Sequence, residues 1–103
     1  MELSVIIPAY NESKSIANVI QKTRHVLESL GATFELIVVE DGSTDDTREV
    51  LRGIEGVRVV EHPQNLGYGA SLKTGIRFAS ADWVAILDAD GTYPENALRD
   101  LWA

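Results

Sequence analysis

Four short apolar runs, each followed by a stretch with helical spacing, constrain this chain more than any other feature. The runs are Leu3 to Pro8, Phe34 to Glu40, Val57 to Glu61 and Trp83 to Leu87. They are near-continuously apolar, as suits strands buried on both faces of a parallel sheet rather than strands with one wet face. From Ser13 to Leu30, positions Ile16, Val19, Ile20, Thr23, Leu27 and Leu30 fall on one helical face and Lys14, Asn18, Gln21 and Lys22 on the other. Gly31 supplies the stop. A second helix is expected to open at Ser43 or Thr44, capped by either hydroxyl, with Asp45 and Asp46 against its positive end and Val50, Leu51 and Ile54 inward. A third starts near Tyr68 and turns Leu72, Ile76 and Ala79 inward. Pro94 fits the first turn of a fourth, with Leu98, Leu101 and Trp102 apolar.

Strict β-α alternation with short connections means an α/β fold: a Rossmann-like three-layer sandwich with four parallel strands, helices on both faces and right-handed crossovers. At 103 residues, with no repeat, linker or low-complexity segment, the expectation is a single domain over 1–103.

Charge and cysteine content narrow the function classes. Nine Lys+Arg against 16 Asp+Glu give a net charge of −7. That balance argues against nucleic acid, whose phosphates need cationic neutralisation, and against a polybasic membrane anchor. The absence of cysteine removes disulfides, thiolate metal sites and a thiol nucleophile. No apolar run approaches the roughly 18 residues of a membrane span, so a cytoplasmic protein is expected. An acidic chain of this kind can hold an anionic ligand only with help from a cation or backbone dipoles.

In open α/β sheets ligands bind beyond the carboxyl ends of the strands. Four loops occupy that edge: Ala9-Tyr10-Asn11-Glu12, Asp41-Gly42-Ser43-Thr44, Pro63 to Gly69, and Asp88-Ala89-Asp90-Gly91-Thr92-Tyr93. Three of the four carry carboxylates. In the last, Asp88 and Asp90 are two residues apart at a strand end and point the same way. Like charges side by side call for a hard divalent cation, Mg2+ or Mn2+, which also bridges to phosphates; the competing reading is turn chemistry at Asp-Gly. Asp41 is either an Asx-turn at the helix entry or an acceptor for a base N–H. The first loop lacks the glycines of a dinucleotide fingerprint or a P-loop. Gly67-Tyr68-Gly69 reads as a flexible, closely packed loop, and Lys73 as a phosphate contact or a solvated lysine. His25 and His62 have no partner at relay or ligand spacing in the sequence and read as structural or exposed. Trp83 and Trp102 read as packing residues.

Four segments together resemble the nucleotide-sugar-binding half of family 2 glycosyltransferases of GT-A fold, nearest the polyprenyl- and dolichyl-phosphate sugar transferases. They are LSVIIPAYNES at 3–13, LIVVEDGSTDDT at 36–47, NLGYGASLKTGI at 65–76 and WVAILDADGTYPE at 83–95. The resemblance implies strand order 3-2-1-4. It also implies that Pro8, Ala9 and Tyr10 line the base and ribose pocket, that Glu12 reaches a polar group of either, and that Asp41 accepts from the base. Asp88 and Asp90 become a DxD motif around the metal, with Gly42, Lys73 and Ala89 in the nucleotide-sugar site. The implied ligand is a UDP- or GDP-sugar and the implied acceptor a polyprenyl phosphate, with membrane association in a full-length relative. Thr92 stands where such relatives often carry Gln or His, and its hydroxyl is a poorer metal ligand than either. Family members continue well beyond this motif into the part that supplies the acceptor subsite and catalytic base. The chain is therefore expected to be the donor half, with little or no transfer activity alone.

Two other functions compete. VAILDADGTY also resembles the first motif of haloacid-dehalogenase-type phosphatases, in which Asp88 would be nucleophile and Asp90 acid/base. That family puts this motif on its first strand, with partners downstream that this chain has no room for. The other is a non-catalytic module that self-associates as a homodimer or higher oligomer through Trp83–Leu87, an apolar edge without guarding charges.

Overall fold

The computed structural model describes residues 2–90. Along them run β1 (Leu3–Ala9), α1 (Ile16–Ser29), β2 (Phe34–Glu40), α2 (Thr47–Arg52), β3 (Arg58–Glu61), α3 (Tyr68–Phe78) and β4 (Trp83–Ile86). The strands form one parallel sheet in the order β3-β2-β1-β4, the order the resemblance implied. Val57 and Leu87 fall outside their expected strands, and Ala9 extends the first. The helix expected from Pro94, and Thr92, lie outside the described residues.

Alternation along the strands divides the core in two. Leu3, Val5, Ile7 and Ala9 of β1 pack with Leu36 and Val38 of β2 under α1 and α2, against Ile16, Val19, Ile20, Leu27 and Leu51. Ile6, Ile37 and Val39 face the opposite side, where Val60, Phe78 and Ala79 cover them. The central strands are thus buried on both faces, which is why their sequences are apolar without interruption.

Two helices differ from the expectation. The second opens at Thr47, because the hydroxyls of Ser43 and Thr44 are engaged elsewhere: that of Ser43 accepts from the Asn11 N–H, and that of Thr44 donates to Asn11 Oδ1. Asp45 Oδ1 accepts from the Thr47 N–H at 2.9 Å and covers an otherwise open donor of the first turn. In α3, Ile76 is 53% exposed, and the buried positions are Ser71 and Gly75. Gly75 lies so close to β1 that an added Cβ would fall 3.1 Å from Ile6 Cδ1 and closer still to Cγ2. Absence of a side chain lets the helix rest directly on the sheet, and this approach rotates Ile76 out.

Candidate functional site

The carboxyl ends of the strands open onto a cleft of about 570 Å³ lined by Pro8, Ala9, Tyr10, Glu12, Asp41, Asn65, Gly67, Tyr68, Ser71, Asp88, Ala89 and Asp90. That size suits a small organic ligand. The cleft joins the ends of β1, β2 and β4 with the loop before α3, so all four loops singled out in the sequence frame one edge.

Glu40 and Asp41 are neighbours in sequence, yet serve opposite faces of the sheet. Glu40 continues the Leu36-Val38 face, is fully buried, and meets Arg48 Nε of α2 at 2.6 Å and the Ser43 N–H at 2.7 Å. Burial pushes its carboxyl up, but the bonds from Ser43 and Arg48 outweigh this and hold it below its ordinary value. Arg48 also donates to the His62 carbonyl at 3.1 Å and tethers α2 to the end of β3.

Asp41 continues the Ile37-Val39 face and is nearly buried beside α3. Four donors converge on its carboxylate. Oδ1 accepts from His62 Nδ1 at 2.8 Å and the Leu66 N–H at 2.9 Å; Oδ2 accepts from the Gly67 N–H at 3.0 Å and Asn65 Nδ2 at 3.2 Å. Burial raises this carboxyl as well, and the bonds from His62, Leu66 and Gly67 more than offset it, leaving it lowered. His62 Nε2 reaches Thr74 Oγ1 of α3 at 2.8 Å. No residue at relay or ligand spacing in the sequence partners His62. The partner is Asp41, because β2 and β3 pair Glu40 with Glu61 and the next residue of each strand lands side by side.

Asp88 and Asp90 are both exposed and flank a buried Ala89, the alternation expected just past a strand end. The Ser15 hydroxyl bonds the Ala89 carbonyl, tying this turn to the start of α1. Ser15 occupies the cap position of α1 without a side-chain capping bond, so its hydroxyl holds the acidic turn instead. Among the described residues no three carboxylate or imidazole groups are gathered into a complete metal cage. Asp88 and Asp90 offer hard oxygens on one side of the cleft, a donor set that fits a cation whose other ligands are phosphate oxygens and water.

The first loop is fixed by its neighbour. Asn11 sits at φ +53°, a region asparagine tolerates, and its Oδ1 accepts from the Thr44 N–H at 2.8 Å. The Glu12 N–H donates to Thr47 Oγ1 at 2.9 Å. These bonds present Tyr10, 43% exposed, to the cleft.

Of the residues picked out in the sequence, Pro8, Ala9, Tyr10, Glu12, Asp41, Asp88, Ala89 and Asp90 come together on the cleft. Gly42 and Lys73 do not line it: Gly42 packs its backbone against Gln64 and Asn65, and Lys73 is exposed on α3. Gly67 and Tyr68, part of the loop pattern noted in the sequence, line it too, as do Asn65 and Ser71, to which nothing in the sequence assigns a ligand role. The signal for them is the position of the 63–69 loop at the carboxyl edge of the sheet.

Residues 4–103 match the family model described as Glycosyl transferase family 2. The match runs through the stretch that also resembled the phosphatase motif. A dolichyl-phosphate beta-glucosyltransferase of Trichomonas vaginalis is 35% identical over 93% of this chain and 31% of its own length. An undecaprenyl-phosphate 4-deoxy-4-formamido-L-arabinose transferase of Edwardsiella ictaluri is 37% identical over 96% and 32%. The chain therefore spans about a third of these relatives. Among solved structures, S. aureus TarS 1-349 in complex with UDP-GlcNAc superposes with a TM-score of 0.77 at 28% identity, over 98% of this chain and 30% of that one. Glucosyl-3-phosphoglycerate synthase of Mycobacterium tuberculosis, in complex with Mn2+, UDP and phosphoglyceric acid, gives 0.75 at 33% identity, over 90% and 35%. With strand order, loop placement and a family match running from residue 4 to residue 103 in agreement, this chain belongs to glycosyl transferase family 2.

Proposed function

We propose that this chain binds the donor of a glycosyl transfer, a UDP- or GDP-sugar, through a divalent cation held by Asp88 and Asp90. The observation that carries this reading is the convergence of Asp41, Asp88 and Asp90 with Pro8, Ala9 and Tyr10 on one cleft at the carboxyl edge of the sheet. Pro8, Ala9 and the ring of Tyr10 provide an apolar wall for base and ribose, and Asp41 an acceptor at its end. Glu12 stands within reach of a sugar or base hydroxyl or amine. Mg2+ or Mn2+, when bound, offsets the diphosphate charge against the acidic edge and acts as a Lewis acid on the leaving group. The Ser15 bond to Ala89 keeps the two aspartates in position for it. Mannosyltransferase PcManGT of Pyrobaculum calidifontis, solved in complex with GDP-Man and Mn2+, supports this donor class, at 28% identity and a TM-score of 0.75. Sugar transfer to a polyprenyl phosphate is supported by both relatives, and a hexose as the sugar by the dolichyl-phosphate glucosyltransferase, since the other transfers a modified pentose. No helix among the described residues is long and apolar enough to cross a membrane.

Calorimetric titration of UDP- and GDP-sugars with and without Mn2+ tests the reading. We expect metal-dependent binding of one of the two, weakened roughly ten-fold or more, about 1.4 kcal/mol, by Asp90→Ala. Metal-independent binding, or unchanged affinity in the variant, defeats it.

The chain is further proposed to self-associate through β4. Trp83 is 70% exposed, Val84 and Ile86 are also exposed, and among the described residues this edge strand pairs only with β1. Apolar edges of this kind recruit other chains. Light scattering at micromolar concentration should report a dimer or larger, reduced to a monomer by Val84→Lys; a monomeric parent protein refutes it.

A further inference from the structure

His62 is a buried polar group with no role in donor binding as proposed above. It stands at the end of β3, with Nδ1 on Asp41 and Nε2 on Thr74 of α3. A carboxylate only accepts hydrogen bonds, so Nδ1 carries the proton it shares with Asp41. The two oxygens of Asp41 offer about four lone-pair positions, and four donors occupy them. Three of these donors are fixed: the His62 ring is buried between strand and helix, and the Leu66 and Gly67 N–H groups are backbone. The fourth is the amide of Asn65, an exposed side chain with the longest of the four bonds, 3.2 Å, and a second reach of 3.3 Å to the Asp41 carbonyl. Asn65 is therefore the partner a ligand can replace.

We infer that His62 is a positioning residue, whose Nδ1–H locks the Asp41 carboxylate with the lone pair now met by Asn65 presented to the cleft for the ring N–H of a uracil or guanine. A base with such an N–H takes over the place of the Asn65 amide. Cytosine and adenine carry a lone pair at the corresponding ring nitrogen, which an acceptor-only carboxylate repels. His62 thus acts through Asp41 on the choice of base and not on the diphosphate. The inference rests on the nucleotide-binding reading above.

The test measures affinities of the full chain for UDP, CDP, GDP and ADP with Mn2+, and for Mn2+-pyrophosphate, which has no base. The parent protein is expected to prefer UDP over CDP or GDP over ADP. His62→Leu should shrink that preference by roughly ten-fold or more, the scale of one hydrogen bond to a charged group, and leave pyrophosphate binding within about two-fold. His62→Asn, whose amide nitrogen can take the Nδ1 place, should keep most of the preference, whereas His62→Gln, whose amide reaches towards Nε2, should lose it. If His62→Leu does not fold, the Asn and Gln pair decides. An unchanged preference in His62→Leu, equal behaviour of Asn and Gln, or a parallel loss of pyrophosphate affinity overturns the positioning role. A parent protein that binds every diphosphate equally also overturns it and leaves the proposed function standing; one that binds none overturns the proposed function itself.

Discussion

Gly42→Ala strikes the point where two of the site's loops touch. Gly42 has φ +71°, where an L-residue costs about 1–2 kcal/mol. A Cβ there would lie 2.8 Å from Gln64 Cα and closer still to the Gln64 carbonyl carbon and the Asn65 nitrogen. Ordinary carbon contacts need about 3.5–4.0 Å, so the 63–67 loop must retreat by roughly 1 Å. At least one of the bonds from Leu66 and Gly67 to Asp41, 2.9 and 3.0 Å, would then stretch beyond useful length. Each is a hydrogen bond to a charged acceptor worth about 1.5–3 kcal/mol, so losing one on top of the strain gives about 2.5–5 kcal/mol. Gly31 provides the control: it has the same φ of +71° with nothing within 4 Å of an added Cβ. Gly31→Ala should therefore cost only the strain, about 1–2 kcal/mol. Urea unfolding of both variants at pH 7 separates the two effects. Equal losses would refute the argument that loop contact, rather than backbone conformation, requires glycine at 42.

Two further outcomes follow from buried contacts. Asp41 and Glu40 have folded-state carboxyls below their ordinary values, so in the acid range the unfolded chain binds more protons. Their stabilisation is complete above the ordinary carboxylate range, about pH 4–5, and is lost as pH falls through that range towards the lowered folded values. Urea midpoints measured against pH should fall on acidification, with a shallower slope in Asp41→Asn and Glu40→Gln; parallel slopes would contradict the assignment. Gly75→Val should destabilise by about 2 kcal/mol or more through overpacking against Ile6. In combination with Ile6→Ala the loss should be smaller than the sum of the two, and strict additivity in the double-mutant cycle would show that the close approach is unimportant.

The central strands are legible because strands buried on both faces leave uninterrupted apolar runs, and the acidic edge because Asp88-x-Asp90 follows an apolar run; the strand order comes from the family resemblance. Helix termini are less legible: hydroxyls and carboxylates can cap their own helix or serve another loop, and the hydroxyls of Ser15, Ser43 and Thr44 do the latter. Apolar spacing points Ile76 of α3 inward, whereas one glycine in contact with Ile6 sets the helix rotation and turns Ile76 out.

Local chemistry fixed the α/β class, the edge where ligands gather and the acidic character of that edge, since periodicity, turn residues and charge are properties of short segments. Pairwise neighbours across the sheet were decided only on folding. Alternation along β2 turns Glu40 to Arg48 of α2 on one face, and the register of β2 with β3 sets Asp41 beside His62 on the other, although His62 lies far along the chain from Asp41. A residue's partner depends on which strand lies beside it and in what register, and neither is written in its own segment.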